Sequence, residues 1–323
     1  MSGRLAIILS VLCLAAAAAM GLSLMLGSVP VSPVDVGAVL TGGGDSLHRA
    51  LILELRLPRT LAAFATGGLL AVAGALMQVL LRNPLADPYV LGISGGAAVG
   101  ALLSMLAGLG TALVSGAAFA GALLSTLLVF GLAHGTGSWT PVRLLLTGVV
   151  VAAGWGALIS FILAVAPGPE LPGMLYWLMG DLSHARHPGP AWIVLVIVVL
   201  LAWPLGRSLN VLARGALQAA ALGVSVRPLE WIVYLLAAVL TATAVTLAGT
   251  VGFVGLIVPH MLRLVLGNDQ RVILPAAALA GGILLTLADT LARTVIAPQQ
   301  LPVGVITALL GVPVFLYLLH RSR

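Results

Sequence analysis

Residues 70–92, LAVAGALMQVLLRNPLADPYVLG, and residues 245–267, VTLAGTVGFVGLIVPHMLRLVLG, are the stretches whose reading decides the fold. Laid on each other at an offset of 175 they share eight of twenty-three positions: Ala73/Ala248, Gly74/Gly249, Val79/Val254, Leu81/Leu256, Pro84/Pro259, Val90/Val265, Leu91/Leu266 and Gly92/Gly267. A composition this biased gives about two or three by chance. The matched Gly and Pro carry most weight, because they fix backbone geometry and not merely hydrophobicity. The first copy ends in Arg82-Asn83-Pro84-Leu85-Ala86-Asp87-Pro88 and runs on into Gly92-Ile93-Ser94-Gly95-Gly96, so two prolines break a helix and small residues open the next. An irregular backbone of this kind between apolar segments needs protein or water around it, since lipid satisfies none of its polar groups.

Working outward, the chain is apolar throughout. Of 323 residues 61% are hydrophobic and 7% charged, with a mean hydropathy of +1.18; this excludes an ordinary water-soluble globule. All 15 basic residues are Arg. Without Lys there is no G-x-x-x-x-G-K-[ST] phosphate loop and no Schiff-base lysine, so any ATP chemistry belongs to another subunit. Cys13, the single cysteine, permits neither an internal disulfide nor a cysteine zinc cage and reads as a packed core residue. The net charge of +6 is scattered among apolar segments and points to membrane orientation, not to nucleic acid.

About 20 apolar residues cross a bilayer. Spans read at 5–26, 60–81, 91–107, 111–133, 143–165, 191–206, 229–250, 254–267, 272–293 and 301–319. The fold class is therefore an all-α polytopic membrane protein, one transmembrane domain over 1–323 with about ten helices. The first stretch exceeds a cleavable signal core and reads as a retained span, with a signal peptide as the alternative. With a cytoplasmic N-terminus ten arginines fall inside and five outside, which supports both termini in the cytoplasm. The two copies begin in spans two and seven, an odd number apart, and so run in opposite directions: an inverted repeat over spans 2–5 and 7–10, the arrangement of alternating-access transporters.

Three connections exceed simple turns: external segments at 28–58 and 167–190, and an internal one at 207–228. The last holds an Ala-rich helical run around Arg214, Gln218, Ala219, Ala220, Leu222 and Gly223, read either as a docking knob or as a helix lying on lipid. Arg56 and Arg59 enter span two and Arg293 leaves span nine. Their guanidinium groups suit carboxylates of a docking protein, or else neutralise Glu54 and Asp289. His184 and His187 have metal-like spacing, but no further ligand completes a set, and a solvated loop is the simpler reading; haem contact through them stays open. Gly92-Ile93-Ser94-Gly95 also fits the G-x-S-G of rhomboid intramembrane proteases with His260 as a base, a four-residue signal in a glycine-rich chain. An ion-coupled secondary transporter is the other alternative and requires an acidic site at mid-membrane, whereas the acids here fall at span ends.

From Leu55 to Leu319 the chain resembles the permease family of type II ABC importers, which take up ferric siderophores, haem and cobalamin. The resemblance is carried by Arg56-Leu57-Pro58-Arg59, Arg82 to Pro88, Leu144-Leu145-Leu146-Thr147-Gly148, Tyr176-Trp177-Leu178-Met179-Gly180, Gly252 to His260, Leu301-Pro302-Val303-Gly304 and Gly311-Val312-Pro313-Val314-Phe315. It implies a bacterial inner-membrane permease without bond chemistry or a covalent cofactor. The implied partners are a second copy, two cytoplasmic ATPases that carry ATP and Mg, and a periplasmic binding protein. By the same resemblance Arg56, Arg59 and Arg293 receive the binding protein, and the Arg214–Gly223 run seats in the ATPase. Thr140-Pro141-Val142 matches the cytoplasmic gate, where Pro141 and Val142 depart from the small hydroxyl residues of relatives. Gly267-Asn268-Asp269-Gln270-Arg271 lacks the His found before Arg in relatives. Gly148, Gly154, Thr307, Gly311, Ser94 and Gly95 are expected along the pathway, since small residues allow close packing and a wide conduit. Siderophore, cobalamin and haem all suit such a conduit, with Pro88-Tyr89-Val90-Leu91-Gly92 leaning toward the first two.

Overall fold

The computed structural model describes residues 2–134 and 140–321. Helix α1 (Ser2–Met25) is followed by the short α2 (Pro33–Leu40) and α3 (Ser46–Arg49), and then by a π-helical stretch, Ala50–Arg56, that runs directly into α4 (Leu57–Leu80). A 3-10 turn, Pro88–Leu91, precedes α5 (Ile93–Leu106), α6 (Thr111–His134) and α7 (Pro141–Val165). The short α8 (Leu171–Leu178) leads to α9 (Gly189–Ala202), which bends by 71° into α10 (Gly206–Leu212). After α11 (Ala216–Ala221) come α12 (Val226–Ala248), α13 (Val254–Leu266), α14 (Gln270–Thr294) and α15 (Val303–Arg321). Among the described residues six helices are long and apolar enough to cross a membrane, or seven if the bent α9–α10 pair is one span, and the shorter apolar α5, α13 and α15 bring the helices to the ten expected.

The inverted repeat is present, but its register differs from the sequence match. Helices α4 to α7 contain 24, 14, 24 and 25 residues, and α12 to α15 contain 23, 13, 25 and 19. The short members begin at 93 and 254 and the next pair at 111 and 270, a spacing near 160 where the sequence match gave 175. At 175 the matched residues occupy unlike places: Gly74 lies inside α4 while Gly249 ends α12, and Pro84 lies in a link while Pro259 sits within α13. Similar breaker chemistry recurs in both halves at shifted positions, which produced identities without structural equivalence.

The halves interlock. Helix α4 packs on α13 and α14 of the second half, and α12 packs on α5 and α6 of the first, with α4 and α12 against each other. Helix α4 is buried along almost its whole length, because small residues admit neighbouring backbones. A Cβ at Gly67 would lie 2.1 Å from the Gly281 carbonyl oxygen, and one at Gly74 would lie 1.8 Å from that of Gly255. Gly96 and Gly121 make the same approach between α5 and α6. Lipid tails are as apolar as leucine, so such close packing, and not the hydrophobic effect, holds spans together. Large side chains turn outward instead. Helix α1 lies at the edge, where Cys13 is exposed and not packed in the core as expected, since the flank of α1 carrying it has no helix against it.

Candidate translocation pathway with its outer and inner ends

The link between α4 and α5 opens from one membrane face and the link between α12 and α13 from the other, because five spans separate them. They nevertheless meet. The Val251 amide donates to the Tyr89 hydroxyl at 3.1 Å, and Pro88 packs where a Cβ on Gly255 would stand. Links from opposite faces touch only if they fold into the bilayer, so the breaks around residues 88–92 and 249–253 lie inside the membrane. Gly92, at φ +68, starts α5, and Phe253, at φ +70, starts α13. Glycine adopts this left-handed conformation freely; a phenylalanine in it is strained and is kept there by its surroundings. Here Phe253 lies against Gly311 of α15, where a Cβ would come within 2.6 Å of it.

Side chains satisfy the broken backbone. Ser125 on α6 donates to the Gly92 carbonyl at 2.8 Å and accepts from the Trp155 indole at 2.8 Å, tying α5 to α6 and α7. Asp87 accepts from the Tyr89 amide at 2.8 Å, so this acid caps the inward-folded link and does not stand at a span end as read from sequence. Gln78 donates to the Leu256 carbonyl at 3.1 Å and accepts from Arg263, which binds α4 to α13. The contacts of Tyr89, Ser125 and Gln78 cross between distant parts of the chain, and periodicity carries no trace of them.

Of the expected pathway residues, Gly154 has open space where a Cβ would stand. Gly148 is buried, and Gly95 lies against Trp155 of α7. Thr307 donates to the Gly304 carbonyl at 3.0 Å, and Gly311 packs on Phe253. Thr307 and Gly311 also border an open apolar groove of about 740 Å³ lined by α1, α13, α14 and α15. Among the described residues no hydrogen bond joins Ser94 to His260, whose buried Nδ1 has no partner. At the expected gate Thr140 is the N-cap of α7 and accepts from the Arg143 amide at 3.2 Å. Pro141 opens that helix and Val142 is exposed, so 140–142 are a helix start; residues 135–139 before them lie outside the described residues.

The outer end corrects the docking expectation. Asp289, fully buried, accepts from Arg59 Nε at 3.0 Å and from its NH2 at 2.9 Å, and pairs with Arg293 Nε at 3.0 Å. Arg293 also donates to Ser23 Oγ at 2.7 Å, and Ser23 meets Thr60 at 2.9 Å. Arg56 donates to the carbonyls of Leu24 at 2.7 Å and Met25 at 3.1 Å and to that of Val29, closing the end of α1. Arg56 and Arg293 are each 5% exposed, so their guanidinium groups serve internal acceptors and are not free for a docking protein. Arg59 reaches the surface, where it donates to Gln300 at 2.6 Å. At the external 167–190 segment His184 is exposed and contacts Ser183 and Asp181, its own neighbours. No group of three metal-ligating side chains occurs among the described residues.

The inner end is built from α10 and α11. Leu217 is 89% exposed, with Gln218, Ala220, Leu222 and Gly223 beside it on the surface, while Ala219 is buried and belongs to the packing of the segment itself. Leu217, which the sequence reading passed over, is the residue whose exposure most needs a partner. Arg214 lines a polar cleft of about 480 Å³ with Arg82, Arg263 and Asp269.

Residues 13–321 match the model of the FecCD transport family. The chain is 44% identical over 296 residues to a protein of Halobacterium salinarum named cobalamin import system permease protein BtuC, covering 90% of this chain and 79% of that one. It is 40% identical over 283 residues to the hemin transport system permease protein HmuU of Yersinia pestis, with 84% and 83% covered. It is 39% identical over 310 residues to the vitamin B12 import system permease protein BtuC of Vibrio cholerae, with 94% and 90% covered. A solved transporter described as of metal-chelate type, in an inward-facing conformation, superposes with a TM-score of 0.86 at 28% identity, covering 97% of this chain and 99% of that one. With the interlocked ten-span fold and its paired in-membrane breaks, these likenesses establish that the chain belongs to the FecCD transport family and is a permease subunit of an ABC importer.

Proposed function

We propose that this permease carries a metal chelate, a cobalamin, haem or ferric siderophore, inward between two copies of itself. The relatives named for cobalamin and hemin support that cargo class. The observation that carries the mechanism is the meeting of Tyr89 with Val251. Two links from opposite membrane faces touch beside left-handed helix starts, so each half holds a break about which it can tilt against the other. Spans α7 and α15, equivalent in the two halves, leave broad apolar faces uncovered; Val150 and Phe161 on one and Leu309 and Leu316 on the other are 59–71% exposed. These faces receive the second copy, and Gly154 on α7 leaves room for a conduit between them.

The cytoplasmic ATPases, with their ATP and Mg, bind Leu217 and its exposed neighbours from Arg214 to Gly223, with the inner membrane oriented to keep both termini on that side. The periplasmic binding protein docks over Arg59; Arg56 and Arg293 hold that surface from below. A charge at the surface, such as Arg59, steers encounter more than it adds affinity. Reconstitution of the permease in proteoliposomes with its ATPases and binding protein tests the reading. Uptake of one of cyanocobalamin, haemin or a ferric siderophore, dependent on ATP and on the binding protein, is the expected result. Uptake by the permease alone would replace it with a secondary transporter.

A further inference from the structure

The strongest unassigned feature joins the ATPase-facing segment to the membrane domain. Asn210 on α10 donates to Asp269 Oδ1 at 2.9 Å, and its own carbonyl oxygen accepts from the Gln270 amide at 2.7 Å. Asp269 is the N-cap of α14, accepting from the Arg271 amide at 3.1 Å, and it pairs with the Arg271 guanidinium at 2.8 Å. Beside this the Trp203 indole donates to the Arg271 carbonyl at 3.0 Å, and Gly206, the first residue of α10, packs so closely that a Cβ there would meet Arg271 Cγ at 2.6 Å. Apart from the Asp269–Arg271 pair, which lies within the first turn of α14, these contacts run from Trp203, Gly206 and Asn210 to that turn. Asn210 fits because one amide both gives and accepts, matching a carboxylate and a helix-end amide together.

Helix α14 extends 25 residues, about 37 Å at 1.5 Å per residue. Its middle lies against α4 through Gly281 and Gly67, where the two backbones approach directly. Its far end carries Asp289 with Arg59 and Arg293. One packed rod thus links the ATPase-facing segment, the central helix and the outer arginine cluster.

We propose that Asn210 and Asp269 form a latch that transmits movement of the α10–α11 segment to α14, and through it to the pathway and the outer cluster. They are positioning residues and touch no cargo. The proposal rests on the importer reading above, in which α11 receives the ATPase. The latch is polar and lies at the edge, not in the core, so breaking it removes the polar grip of α10 on α14 while the Trp203 and Gly206 contacts and the packing of the helices remain.

The test uses the full importer with ATPases and binding protein in lipid nanodiscs and proteoliposomes. Variants are Asn210→Ala, Asp269→Ala and the exchange Asn210→Asp with Asp269→Asn, in which the pair can re-form with donor and acceptor reversed. Asn210→Ala should keep ATPase assembly and ATP turnover within about two-fold, while cargo moved per ATP and stimulation by the binding protein fall by about ten-fold, the scale of a typical coupling between sites. Asp269→Ala should follow it, and the exchange should restore at least about a third of the coupling. Wild-type transport per ATP in Asn210→Ala, or its failure to assemble, or an exchange no better than the single variants, would overturn the latch. Failure of the wild-type complex to use ATP for uptake would instead overturn the importer reading.

Discussion

The two ends of α14 carry the same chemistry in opposite settings. At the outer end Asp289 is fully buried between two arginines; at the inner end Asp269 pairs with Arg271 where both side chains are 28% exposed. Burial turns the first into structure, because removing one partner strands a charge that neither lipid nor protein solvates. Partial hydration leaves the second adjustable, because water replaces whatever the protein withdraws. A helix fastened by a fixed node at one end and a yielding one at the other suits a rod that conveys displacement.

The largest expected effect breaks that comparison at its buried end. Asp289→Ala should lower stability by about 3–5 kcal/mol, seen as a fall in the thermal unfolding midpoint of the detergent-solubilised protein. An equal or larger fall in Asp269→Ala would refute the contrast between the ends. Next, Gly67→Ala sets a methyl group 2.1 Å from the Gly281 carbonyl oxygen and must push α14 from α4; a cost of about 1–3 kcal/mol is expected on the same measurement, and an unchanged midpoint would show that the rod is not held at its middle. Arg59→Lys keeps the charge but forfeits the two-point grip on Asp289. It should cost about 1–2 kcal/mol and make binding-protein association more sensitive to salt in a titration; Arg293→Lys should change stability without that salt response.

The smallest effect concerns pH. The Arg271 guanidinium and the Asn210 amide hold the Asp269 carboxyl below its ordinary 3.8, at about 2. A depressed folded value means that the pair contributes fully above pH 4 and loses its contribution as pH falls toward 2. Asp269→Asn should therefore flatten the decline of stability between pH 4 and 2 relative to the parent, and parallel curves would remove the pair from the account.

Much of this was legible in the sequence. Apolar runs of span length gave the membrane class and all ten helices, since the hydrophobic requirement of a bilayer is written residue by residue. Pro84, Pro88 and Gly92 marked the first break, and the helix-prone run after Arg214 marked the inner segment. The pairings were not legible. Gly74/Gly249 and Pro84/Pro259 suggested a register that helix boundaries refute, because identity at a breaker does not require the same break. Arg56, Arg59 and Arg293 looked alike as span-end charges, yet two are buried and one reaches the surface, a difference set by α1 and by Asp289 from distant parts of the chain.

Composition and periodicity by themselves determined that this protein spans a membrane many times, lacks its own nucleotide loop and repeats its plan in opposite orientations, because each of these depends on local chemistry summed along the chain. Tertiary structure alone decided that Tyr89 meets Val251, that Asn210 grips Asp269, and which arginines are buried. Those outcomes depend on which helices approach closely, and close approach is fixed by small residues such as Gly67 and Gly281, which lie more than 200 positions apart.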